Sequence, residues 1–292
     1  MIKALLLGAF GAAALLHGEL LPEAVLAFPA QSSSLEYDNL TTLRLLPNYR
    51  SLRQQYSGEG LQRVRKTLLS LGIGEEQLGE VVTASGPGGF FGLIAGTFHS
   101  AGAAREAVKH AMTQSALDDG PVFCSKDEVC FFFPTHEEGH AWFASLAQLR
   151  AISDVRQGRA PSLRNNVSFM NLFNRMEPHA PVFGFAPGRE IASWIGGSIP
   201  EQISSRLDLA SLFSTIETFG YSVKLDSKAH VGLNLVCSSE TAGVVLRDTL
   251  SAASGLQRAA ALAAGSVALP FENMVVASSG RLVAVNLDAP FQ

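Results

Sequence analysis

Residues 136–140 read His136-Glu137-Glu138-Gly139-His140, a match to the H-E-x-x-H signature of zinc peptidases. On a helix, that spacing puts two imidazoles one turn apart on one face. The glutamate between them then polarises a metal-bound water. Such a site would use His136 and His140 as ligands and Glu137 as the base. The flanking residues give the motif another reading. Thr135 followed three residues later by Glu138 is a capping box, and acidic residues in a first turn suit the helix dipole. The pattern therefore predicts a helix from Glu137 to about Gln157, stopped by Gly158 and beginning inside the motif. No third ligand is close. Asp154 would lie roughly 21 Å along that helix from His140, and the next candidates are Glu177 and His179. Trp142, Phe143, Leu146, Leu149, Ile152 and Val155 make one apolar stripe, which leaves both histidines on the solvent side. The reading assigns no metal and no catalytic residue, with the zinc peptidase as the alternative.

Other chemistry is sparse. The chain has no G-x-S-x-G, no P-loop, and no G-x-G-x-x-G leading from a strand into a helix. GPGGFFG (86–92) lies between two strands and reads as a hairpin loop. Gly196-Gly197-Ser198 reads as a turn, Trp142 and Trp194 as core aromatics. His99, His110, His179 and His230 are scattered. No cofactor is expected. Cys124 and Cys130 sit in VFCSKDEVCFFF, a hairpin that places them directly opposite each other, so an oxidising compartment would bridge them. Cys237 shares parity with Val231, Leu233 and Leu235 and reads as a small buried hydrophobe.

These elements belong to a globular chain of 292 residues, 47% hydrophobic and 16% charged. A net charge of −4 gives no field to hold a polyanion, so nucleic acid is not an expected partner. Arg150, Arg156, Arg159 and Arg164 read as a solvated helix face and linker. At the N-terminus, Met1-Ile2-Lys3 precedes the apolar run ALLLGAFGAAALL (4–16), which fits a signal-peptide h-region and is too short to span a bilayer. Residues 1–27 are read as the signal, with cleavage after Ala27. No later stretch is apolar enough to span a membrane. The expected location is periplasmic or extracellular.

Periodicity gives two similar halves, 28–160 and 161–292, divided near GRAPSLRNN (158–166). Strands are predicted at 80–86 and 90–98, a helix at 101–115, and the cysteine hairpin at 122–133. The second half repeats this with strands at 216–226 and 230–237, a helix over 240–264, and a hairpin over 272–290 turning at Ser278-Ser279-Gly280. In 216–226, Phe219, Tyr221, Val223 and Leu225 alternate with polar or small residues, as in a sheet covered on one side. VFCSKDEVCFFF and VVASSGRLVAVN align as closing hairpins, which points to an internal duplication. The expected class is α+β: two tandem two-layer sandwiches, ferredoxin-like or ACT-like, with mainly antiparallel sheets.

The stretches YDNLTTLRLLPNYRSLRQQY (37–56), SLGIGEEQLGEVV (70–82), GTFHSAGAAREA (96–107) and FASLAQLRAISDVRQGRAPSLRNN (143–166) resemble a family of uncharacterised exported bacterial proteins. The resemblance implies a signal sequence ahead of two loosely similar α+β repeats, and it transfers no catalytic residue. The expected function is a non-enzymatic envelope protein that binds a protein or small-molecule partner through an exposed sheet face or the groove between repeats. An ACT-like ligand-binding regulatory module is a further alternative.

Overall fold

The structure, a computed structural model, describes residues 20–46, 49, 59–117, 119–177, 179–191, 209–226, 228–263 and 272–289. Residues 1–19, which carry the expected h-region, and the segment holding Trp194 and Gly196-Gly197-Ser198 lie outside them. The chain divides into two units, residues 1–167 and 168–292. The described residues hold twelve strands, and within each unit they pair antiparallel.

Unit 1 contains α1 (Leu20–Ala27), β1 (Ser34–Asn39), α2 (Leu40–Leu43), α3 (Glu59–Ser70), β2 (Leu78–Gly86), β3 (Gly89–Gly96) and α4 (Ser100–Lys109). It continues with β4 (Thr113–Leu117), β5 (Gly120–Cys124), β6 (Cys130–Phe132), β7 (His140–Ala144) and α5 (Leu146–Arg156). Its strands run β1-β2-β3-β7-β6-β5-β4. Register fixes the two faces. Gly92, Ile94, Ala141, Phe143 and Phe131 share one face with Val64 and Leu68 of α3 and Ala103 and Ala107 of α4. Phe91, Leu93, Phe132 and Trp142 point the other way, where α1 and α5 pack and where the Phe28 ring lies 4.9 Å from Phe91 and 5.9 Å from Trp142. Helices thus cover both faces of this sheet, three layers rather than the expected two. The runs FFGLIA and AWFA are continuously apolar because neither face meets water.

α1 belongs to that packing. Leu20, Leu21, Ala24, Val25 and Ala27 are buried, so cleavage after Ala27 would strip five core side chains from the fold.

Unit 2 contains α6 (Val167–Phe173, beginning one residue before the unit), β8 (Val182–Pro187), α7 (Leu209–Ser214), β9 (Ile216–Leu225), β10 (Ala229–Cys237), α8 (Glu240–Ala263), β11 (Glu272–Ser279) and β12 (Leu282–Ala289). Its order is β11-β12-β10-β9-β8. Leu246 of α8 is buried with Phe219, Tyr221, Leu233, Leu235, Val283 and Val285. Phe169 and Phe173 cover the opposite face at Phe185 and Phe183, with centroids 5.4 Å and 5.3 Å apart. β9 is therefore covered on both sides at its buried end, which corrects the expected one-sided sheet. Cys237 is fully buried, as its parity indicated.

The strand orders do not give ferredoxin-like repeats. In that fold the first strand lies inside the sheet beside the third; here β1 pairs with β2, and β3 pairs with β2 and β7. The two units nevertheless share one internal order: a three-strand meander, a helix, then a hairpin whose last strand returns beside the third. This gives β1-β2-β3-β7-β6 in unit 1 and β8-β9-β10-β12-β11 in unit 2. By this order the counterpart of β11–β12 is β6–β7, one strand later than the hairpin that the sequence alignment selects.

Of the helix predicted from Glu137 to about Gln157, the part from Leu146 to Arg156 forms and ends ahead of Gly158, while its first turns do not. Residues 140–144 are strand β7, and the helix begins at Leu146 with Ser145 as its N-cap, Oγ accepting from the Gln148 amide at 3.3 Å. A buried run such as Ala141-Trp142-Phe143-Ala144 suits a central strand or a core helix equally by periodicity, and tertiary packing decides.

Candidate functional site: an apolar cavity with two carboxylates

Unit 1 has a partly open cavity of about 520 Å³ against the α3 face of its sheet. Val81 of β2, Ile94 of β3 and Phe143 of β7 line it from the sheet, and Leu61, Val64, Leu68 and Leu69 line it from α3. Leu40, Leu43 and Leu46 close it beyond the end of β1. Gly92 lets this surface form: a Cβ there would sit 2.3 Å from the Phe143 ring and 2.4 Å from the Val82 carbonyl oxygen. With hydrogen at that position, the ring lies across the strand and joins the cavity wall.

Two acids, Glu36 and Asp38, enter this apolar surface from β1. The strand alternates, so Leu35, Tyr37 and Asn39 are buried on one face while Glu36 and Asp38 share the other. Burial first, then the charge of Glu36, holds the Asp38 carboxyl well above the usual carboxylate range. On the opposite face, burial and then the Glu80 charge raise the Tyr37 hydroxyl. At the rim, Tyr49 Oη donates to Glu75 Oε1 at 3.0 Å and Arg65 Nη2 lies 3.7 Å from Glu75 Oε2. Arg44 donates to the Glu75 carbonyl at 2.8 Å and to the Leu78 carbonyl, fixing the loop that carries the rim acids.

The residues of the H-E-x-x-H match lie elsewhere in unit 1 and do not converge. His136 is exposed in a turn. Glu137 Oε1 accepts from Arg156 Nη2 at 2.8 Å, and Arg156 Nη1 lies 3.2 Å from Asp119 Oδ2. The Arg156 guanidinium stacks over Trp142, 5.3 Å from its ring centroid, and its side chain is only 18% exposed. It is no part of a solvated face. His140 stands on β7, its Nε2 3.8 Å from Glu23 Oε2. Since His140 is on a strand, the two histidines are not one helical turn apart. Among the described residues, no three His, Cys, Asp or Glu side chains come together as a metal site. Glu177, named as a possible ligand, pairs with Lys224 at 2.8 Å.

Glu138 does cap a helix, but a different one. Its Oε1 accepts from the Ser100 amide at the start of α4 at 3.1 Å and lies 3.0 Å from His99 Nδ1. The hydrogen bond from His99 and those from Ser100 lower its pKa. Thr135 instead bonds back to the Asp119 carbonyl through both its amide and its hydroxyl.

The Cys124 and Cys130 sulfurs are 2.08 Å apart across the β5–β6 pair, in direct register. Unit 2 holds a cluster that the scattered histidines did not suggest. His230 lies between Asp288 Oδ1 at 2.7 Å and Asp226 Oδ2 at 3.0 Å, and Lys228 and Asn273 both reach Asp288 Oδ2. The hydrogen bond to Asp288, then that to Asp226, raises the His230 pKa. Asp226 stands four residues before His230 in sequence, but Asp288 is brought in only by the β10–β12 register.

The chain is thus a mixed α+β protein built on antiparallel strands. No family model and no curated protein matches it. Its fold is similar to that of TP0453 in crystal forms I and III, each with a TM-score of 0.51, at 10% and 8% sequence identity, over 91% of this chain and 92% of that one. At that identity the likeness shows the fold alone.

Proposed function

We propose that this protein is a non-enzymatic, exported binding protein that holds a small apolar molecule in the unit 1 cavity. One observation carries the reading: about 520 Å³ of space lined mainly by Leu, Val, Ile and Phe side chains, with a few polar groups on β1 and at the rim. Ligand pockets typically have this size and make-up, on the order of 300–1,000 Å³. The cavity takes the place of the sheet face or inter-repeat groove expected from sequence. It also lies within one unit, whereas an ACT-type module takes its ligand where repeats pair. The zinc peptidase reading loses its support with the helix it needs.

Export is supported by the basic start and apolar run of residues 1–16 and by the paired Cys124 and Cys130, a bond that persists in oxidising compartments. The burial of α1 favours a leader that ends ahead of Leu20. No helix of the described residues is long and apolar enough to cross a membrane. The shared strand order of the two units supports an origin by duplication.

The binding test is a titration with N-phenyl-1-naphthylamine, a neutral apolar fluorophore. Saturable one-to-one enhancement of its emission is expected. Emission that rises without saturation, as at a nonspecific surface, would refute the reading.

A further inference from the structure

The polar cluster at one end of the unit 2 sheet makes a demand on its histidine that one charge state meets. His230 Nδ1 lies 2.7 Å from Asp288 Oδ1 on β12, and its Nε2 lies 3.0 Å from Asp226 Oδ2 in the link between β9 and β10. A carboxylate oxygen accepts, so both contacts are hydrogen bonds when both ring nitrogens carry hydrogen. That state is the imidazolium. We infer that this link is a proton-operated latch, closed onto the sheet by protonated His230 and opened at Asp226 when the ring loses one proton.

The surroundings decide which bond is lost. Asp288 is the more buried acid, its side chain 18% exposed, whereas that of Asp226 is 63% exposed and can turn to water. Asp288 Oδ2 also takes Lys228 Nζ at 2.8 Å and Asn273 Nδ2 at 3.0 Å, which hold the carboxylate in place. A neutral ring therefore keeps its N–H on Asp288 and turns the lone pair of Nε2 toward Asp226, which repels it. Lys224 stands opposite His230 on β9 and pairs with Glu177 at 2.8 Å, and Glu272 stands opposite Asp288 on β11. These neighbours are carboxylates and amines, types that ordinarily titrate well away from an imidazole.

Asp226 also shapes the link. Its Oδ1 accepts from the Lys228 amide at 3.1 Å, and its own amide donates to the Lys228 carbonyl at 3.1 Å. A carboxylate that turns away from His230 withdraws from the Lys228 amide too, so that amide reports the latch. The bonds to Asp288 and then Asp226 make the ring hold its proton above the ordinary value of 6.5. The latch is therefore closed below that value and opens as pH rises through the folded one.

NMR of the full chain across pH 5–9, following the His230 ring and the Lys228 amide together, tests this. The ring should titrate with a midpoint above 6.5. Lys228 amide protection, relative to a free peptide at the same pH, should fall about threefold through that midpoint. His230→Gln should show the low protection at every pH. In Asp226→Asn the ring should titrate at a lower midpoint without the fall, because the new amide can donate to the unprotonated nitrogen. Lys228 protection that stays constant through the ring titration, a wild-type midpoint at or below 6.5, or a fall that persists in Asp226→Asn would overturn the latch.

Discussion

Asp38 stands directly opposite Val81 across the β1–β2 ladder, so a carboxyl group shares a sheet face with the valine and, one strand further, with Ile94. A solvent-facing strand would carry Asp38 at no cost. Here α3 lies across the cavity from this face, Asp38 is half-buried, and burial raises its carboxyl pKa.

That shift sets a pH signature. The folded-state pKa of Asp38 is raised, so between the unfolded value of 3.8 and the folded value the native state binds the extra proton. Stability from this group therefore falls as pH rises through that window. Asp38→Asn should raise the neutral-pH Tm by about 2 °C and flatten the pH dependence of Tm above pH 4. Thermal melts of both proteins across pH 4–8 check this; a less stable variant at neutral pH would contradict it.

Arg156 is clamped by Glu137 and Asp119 over the Trp142 ring. Arg156→Met should cost ~2–3 kcal/mol, because two partly buried carboxylates lose their cation. Glu137→Gln should cost ~1 kcal/mol, since the amide oxygen still accepts. Urea denaturation distinguishes the two. An Arg156→Met cost near zero would show that the clamp contributes nothing.

Much of unit 2 was legible because its signals are local. The alternation of Phe219, Tyr221, Val223 and Leu225, the Ser279-Gly280 turn and the start of α8 all lie close to the elements they define. The opposed Cys124 and Cys130 were legible for the same reason. Thr135, Glu138 and the apolar residues after them suggested a helix start, but Glu138 caps α4 across the fold, and the strand nature of Ala141–Ala144 depends on pairing with β3 and β6. The cavity acids were hidden by their own pattern. Leu35-Glu36-Tyr37-Asp38 alternates as an ordinary half-solvated strand does, and the helix that lies across the cavity from its polar face begins about twenty residues later. Asp288 reaches His230 only through register, which sequence spacing does not reveal.

The cysteine pair predicts a thiol count. Of three cysteines, Cys124 and Cys130 are joined and Cys237 is free and buried. Unreduced, denatured protein prepared from an oxidising compartment should titrate one thiol. Reduction should cost about 2 kcal/mol, as expected for so short a loop. Three reactive thiols before reduction would contradict the assignment.

His230 should hold its proton more tightly than a free imidazole, because Asp288 and then Asp226 accept hydrogen bonds from it. Its folded pKa is raised above 6.5, so its stabilisation is present below the unfolded value and is lost as pH rises through the folded one. Asp288, lowered mainly by Lys228, works in the opposite direction at acid pH. The protection of the His230 amide relative to a free peptide at the same pH should fall in the wild type as His230 loses its proton, and His230→Gln should show low protection at every pH. Identical exchange profiles would contradict the pairing.

The most direct measurement titrates the neutral fluorophore into Val81→Phe, which fills the cavity from the sheet side while the fold is checked by thermal melting. A folded variant with probe affinity reduced about tenfold or more is the result this account predicts. A folded variant that binds the probe as tightly as the wild type would place the ligand elsewhere and contradict it.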